Sequence, residues 1–128
     1  MKKILITGAG AGITACAIAE REGVAMRAPH HTSGALACAE QAEMAHDGVL
    51  LLDELESFSM QAVTTMASVI KDQPPRTLVV RTWGCPCGMK GRNRPSECHC
   101  SEQAMARFAV RLDALLELLG MQCTGECA

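Results

Sequence analysis

The sequence predicts an α/β domain: a parallel sheet with flanking helices. Three observations carry this. Short apolar runs at residues 3–7, 49–52 and 77–82 have the length of strands, and VLLLDE shows no in/out alternation, the pattern of a strand buried on both faces. Stretches with helical spacing of apolar residues lie between and after these runs. Glycine and proline punctuate the junctions, and alternating strands and helices indicate βαβ units.

The elements follow in order. Residues 3–7 form a strand that ends in glycines. Residues 12–22 are Ala/Ile-rich and stop at Gly23, a helix with a glycine C-cap. Pro29, Ser33 and Gly34 mark 27–35 as a loop, and residues 35–46 form a second helix that ends before Asp47-Gly48. After the VLLLDE strand, Ser59 caps a helix to Lys71 with Val63, Met66, Ala67 and Ile70 on one face. Pro74-Pro75 ends it, and TLVVRT is the next strand. Residues 84–100 are rich in glycine, proline and cysteine. Ser101 then caps a helix with a stripe of Met105, Phe108, Leu112, Leu115 and Leu119, closed by Gly120.

Composition bounds the function. A chain of 128 residues suggests one domain, and 48% hydrophobic with 20% charged residues is ordinary globular usage. A net charge of -2 leaves no overall footprint for nucleic acid, and 2% aromatics argue against a base-stacking platform. Arg76, Arg81, Lys90, Arg92 and Arg94 read as part of a mixed solvated surface. Glycines 8, 10 and 12 break the first apolar run too early for a signal peptide, and no run nears the roughly 18 apolar residues of a membrane span. The expectation is a soluble, cytoplasmic protein without a membrane partner. Of eight cysteines, Cys16 and Cys38 read as small core residues, and Cys123 and Cys127 as tail.

Two segments point to chemistry. The VLLLDE strand delivers Asp53 and Glu54 to its carboxyl edge, where α/β sheets place ligands, one acid suited to Mg²⁺ and the other to polarising water. Cys85-Pro86-Cys87-Gly88 and Cys98-His99-Cys100 bring two close thiol pairs across a loop, matching a structural tetrahedral Zn²⁺ site. Disulfide pairing, or His99 replacing one thiolate, are the alternatives. The glycine turn is a weaker signal. A phosphate loop needs G-x-x-x-x-G-K-[ST]; here Thr7 takes the first glycine position and Ile13 the lysine position, while Gly8, Gly10, Gly12 and Thr14 keep a strand–turn–helix context that attracts phosphate.

RAPHHT at 27–32, GVLLLDELESFS at 48–59, and CPCG…CHCS followed by Gln103 and Arg107 resemble, in order, signatures of the magnesium chelatase subunit I / ComM-like (YifB-like) AAA+ ATPases, over about residues 4–117. The resemblance implies a P-loop NTPase-like fold, reduced, with residues 1–120 as core, a cysteine-rich zinc-binding insert at 84–100 and a tail at 121–128. It implies ATP and Mg²⁺ as cofactors, ring-like homo-oligomers, and DNA as a partner in the ComM-like branch. By position, Gly8, Gly10, Gly12 and Thr14 would bind nucleotide, Thr14 and Asp53 would hold Mg²⁺, and Asp53 and Glu54 would be the catalytic acids. The chain departs from the family pattern at several places. Ile13 replaces the lysine, Trp83 stands at the sensor asparagine, and Leu115-Leu116-Glu117-Leu118 lacks the family's arginine. A hairpin insert and the C-terminal lid have no counterpart. The expectation is a nucleotide-binding module with slow or absent hydrolysis; the alternative is a zinc-stabilised interaction module without nucleotide chemistry.

Overall fold

The computed structural model describes residues 1–89 and 95–121. Four strands form one parallel sheet: β1 (Lys2–Thr7), β2 (Met26–Arg27), β3 (Val49–Leu52) and β4 (Thr77–Thr82), in the order β1-β4-β3-β2. The helices are α1 (Ala11–Glu22), α2 (Ala35–Met44), α3 (Met60–Asp72) and α4 (Glu102–Leu118). The expected α/β class and parallel sheet are present. The sequence reading missed β2, because a two-residue strand at a sheet edge carries no periodicity.

The two central strands explain the unbroken apolar runs. All of Val49–Leu52 and Thr77–Thr82 is buried, since helices cover both faces. The faces are unequal. Helix α1 alone packs Ala11, Ala15, Ile18 and Ala19 against Val49, Leu51 and Val79. On the opposite face, α2, α3 and α4 bury Leu50, Leu52, Leu78 and Val80 beneath Ala42, Val63, Met66, Leu112, Leu115 and Leu116. Small residues on α1 let one helix lie close to the sheet, whereas the larger side chains opposite fill a thicker layer.

Both expected serine caps are made: Ser59 Oγ accepts from Ala62 N at 3.0 Å and Ser101 Oγ from Ala104 N at 3.1 Å. Each contributes about 1 kcal/mol to its helix. Gly48 is required by close approach, since a Cβ there would collide with the Ala25 carbonyl oxygen where β3 begins. Cys38 lies in the core as expected, but Cys16 does not; it is exposed on the outer side of α1. Arg81 departs furthest from the reading as surface charge, for it is buried in β4. No helix among the described residues is long and apolar enough to cross a membrane.

Candidate functional site

Adjacent strands β1 and β4 send their connections to opposite faces, the first to α1 and the second toward α4. Such a divergence opens a crevice at the carboxyl edge of a parallel sheet. Three groups of sequence-predicted residues meet this edge: the glycine turn, the acids after β3, and the cysteine loop after β4.

The glycine turn is short. Only Gly8, Ala9 and Gly10 separate β1 from α1, and Gly10 is the helix N-cap at φ 98°. Gly8 N donates to Thr82 O at 2.9 Å, tying the turn to β4. Gly12 and Thr14 lie inside the first turn of α1, and Thr14 N donates to Gly10 O at 3.0 Å. Ile13, at the position where a phosphate loop has lysine, is 79% exposed.

The acids sit in a dense charged cluster. Glu54 adopts a left-handed backbone, φ 57°, which turns the chain sharply into a 3₁₀ turn at Leu55–Ser57. Leu52 pairs with Val80 across the sheet, which puts Asp53 next to Arg81. The Arg81 guanidinium donates from Nε to Asp53 Oδ1 and pairs through Nη2 with Glu54 Oε1 at 3.6 Å. It also lies 3.9 Å from the centre of the Trp83 ring, a cation–π contact. Trp83 Nε1 donates to Glu54 Oε1 at 2.6 Å, and His31 Nε2 lies 3.3 Å from Glu54 Oε2. Glu56 Oε2 accepts from Thr82 Oγ1 at 3.1 Å and from Trp83 N at 2.8 Å. Arg111 of α4 closes the turn from behind, donating from Nη2 to Phe58 O at 2.6 Å.

Asp53 and Glu54 line a cleft of about 180 Å³ with Ala28, Pro29, His30, His31 and Leu51. None of the glycine-turn residues lines it; the cleft opens toward the histidine loop. That loop is held by the Cys38 thiol, which donates to His30 O at 3.8 Å and Ser33 O at 3.7 Å. Burial pushes the Cys38 thiol up from its ordinary range. The structure thus joins Asp53 to Arg81, while Thr14 bonds within its own helix.

Cysteines 85, 87, 98 and 100 converge as the sequence spacing predicts. Their four sulfurs all lie within 4.8 Å of one another, with Cys85–Cys87 at 3.4 Å and Cys98–Cys85 at 3.9 Å. A tetrahedron with Zn–S bonds of about 2.3 Å has sulfur–sulfur edges of about 3.8 Å, so these thiols can hold one metal ion. All six described cysteines are free thiols, and His99 is outside the group. A backbone hydrogen bond at Met89 and bonds from the neighbouring thiols hold Cys87 down at about 6, against its desolvation. The Cys87 backbone lowers Cys100, but its side-chain bond to Cys87, desolvation and the Cys87 charge win and push it up to about 11. Lys90, Arg92, Arg94, Cys123 and Cys127 lie outside the described residues.

Arg81, Glu56 and His31 are cluster members that the motif reading did not single out. One signal was available for Arg81. A charge next to the apolar residues of a short buried strand is rarely without a partner, and the partner had to lie at the same sheet edge. No family model, curated protein or solved structure matches this chain, so the likeness to the ComM-like ATPases rests on the quoted motifs alone.

Proposed function

We propose that this chain is a zinc-stabilised interaction module, in which Cys85, Cys87, Cys98 and Cys100 hold one Zn²⁺ that closes the loop between β4 and α4. The convergence of four free thiols within 4.8 Å carries the reading. Four thiolates fill a tetrahedral shell and leave no position for water, which is the mark of a structural rather than a catalytic zinc. Cys85 is buried directly after β4, and Cys100 immediately precedes the Ser101 cap of α4. A metal there joins the end of the sheet to the start of a helix. Elemental analysis of protein purified without added metal tests this, with one zinc per chain expected. Cobalt replacement should give the visible absorption of a tetrahedral thiolate site. A ratio near zero, with all four thiols freely reactive, would rule the reading out.

A second reading, weak ATP binding on a scaffold derived from the AAA+ ATPases, is favoured by one observation. The glycine turn and the Asp53–Glu54 turn stand at the same carboxyl edge of a parallel sheet, beside the point where the β1 and β4 connections diverge. Mg²⁺, homo-oligomers and DNA belong to this reading through the family likeness. Ile13→Lys tests it. Ile13 is the third residue of α1, where a lysine would stand beside amides that have no helical partner. A charge-assisted contact of about 1.5–3 kcal/mol would tighten ATP about ten- to a hundredfold by calorimetry. An unchanged affinity in the folded variant removes the nucleotide reading.

A further inference from the structure

The two carboxylates after β3 look like a divalent-cation site, yet the chain already supplies a cation to them. We propose that Arg81 occupies the cation position at Asp53 and Glu54 and shuts it to Mg²⁺, so that a divalent ion enters only when the guanidinium is removed.

Three contacts fix the guanidinium. Nε donates to Asp53 Oδ1, Nη2 pairs with Glu54 Oε1 at 3.6 Å, and Cζ lies 3.9 Å from the centre of the Trp83 ring. The Arg81 side chain is 8% exposed, while those of Asp53 and Glu54 are 50% and 32% exposed. The acids face solvent on one side and a fixed buried cation on the other. The stem of Arg81 belongs to β4, whose pairing with β1 matches Ile6 to Arg81 and Thr7 to Thr82. A rotation that cleared the acids would leave a guanidinium buried without a counter-charge, which is strongly unfavourable. An incoming metal would also lose a ligand, because Glu54 Oε1 accepts from Trp83 Nε1 at 2.6 Å and its Oε2 lies 3.3 Å from His31 Nε2. Mg²⁺ gives up its own water reluctantly and gains little from oxygens already paired.

The Arg81 contacts hold whether or not the four thiols bind zinc. Any nucleotide held at this edge would be held without a metal at Asp53, whatever residue stands at position 13.

The test uses Trp83, the single tryptophan, whose indole N–H points at Glu54. The purified full chain is titrated with Mn²⁺ alone, and the indole resonance is followed for paramagnetic broadening. In the native chain the resonance should survive to about 1 mM Mn²⁺, since one or two paired carboxylates bind such ions weakly. In Arg81→Gln and Arg81→Met it should broaden at a concentration at least about tenfold lower. Adding Asp53→Asn to either variant should abolish that gain. Should loss of Arg81 destabilise the fold, Mn²⁺ over the same range should restore the folded fraction. Broadening in the native chain at the concentration that broadens the variants overturns the proposal. So does a variant that neither broadens with Mn²⁺ nor, if destabilised, is restored by it.

Discussion

Two groups of metal-ligand side chains stand at the carboxyl edge of the sheet, the acids after β3 and the thiols after β4, and the chain treats them differently. Asp53 and Glu54 meet a guanidinium from the neighbouring strand, an indole N–H and an imidazole, all from the chain itself. Cysteines 85, 87, 98 and 100 lie against one another, with all four sulfurs within 4.8 Å, and among the described residues no cationic side chain bonds to them. The thiols stand at the separations of a tetrahedral metal shell, so an external cation can join them. The acids already hold a cation from the chain itself, however familiar their motif. The comparison teaches that a metal-ligand motif is judged by the charges around it as much as by its spacing.

Cys85→Ser should give the largest break in this comparison. Zinc binding contributes about 10 kcal/mol or more in small structural sites and is coupled to folding. The variant should therefore lose its zinc and melt far below the native protein by calorimetry, and a chelator should do the same to the native chain. If the melting temperature is unmoved by either, the cysteine cluster needs no cation, and the contrast with the acids disappears.

Arg81→Met should come next. Breaking a buried ion pair costs about 3–5 kcal/mol, but the acids are partly exposed and screened, so about 2 kcal/mol is expected by urea denaturation at neutral pH. The loss should shrink in the Asp53→Asn background, where less negative charge is left unbalanced. Equal losses in both backgrounds would mean that Arg81 acts by packing on Trp83 rather than by charge.

Ser101→Ala should have the smallest effect, about 1 kcal/mol from the lost helix cap. Because Ser101 follows Cys100 directly, the size of this loss sharpens the role of the metal. With zinc present the cap is ordered and the full cost should appear. With zinc removed, the first turn of α4 should fray and the cost should fall toward zero. A zinc-independent cost would show that α4 starts without help from the thiols.

Much of the fold was legible because it depends on local patterns. An apolar run without alternation identified β3, a second short run identified β4, and serines identified two helix starts. Of the α4 stripe read as Met105, Phe108, Leu112, Leu115 and Leu119, the three leucines are buried in the core, Phe108 packs against it partly buried, and Met105 stays outside it. The four cysteines were equally legible, since C-x-C pairs across a loop can converge without distant help. Cys16 was misread as a core residue because the side of α1 facing outward depends on how that helix lies on the sheet.

The sequence by itself determined the α/β class, the caps and the thiol cluster, all set by residues near one another in the chain or by the period of a single element. Only the tertiary structure decided what the acids do. Asp53 and Arg81 are 28 residues apart in sequence, and the register of β3 on β4 makes them neighbours. No local pattern reports that pairing, because it arises from strands aligned by burial of their apolar faces. That alignment turned a surface-looking arginine into the buried counter-ion of the acids.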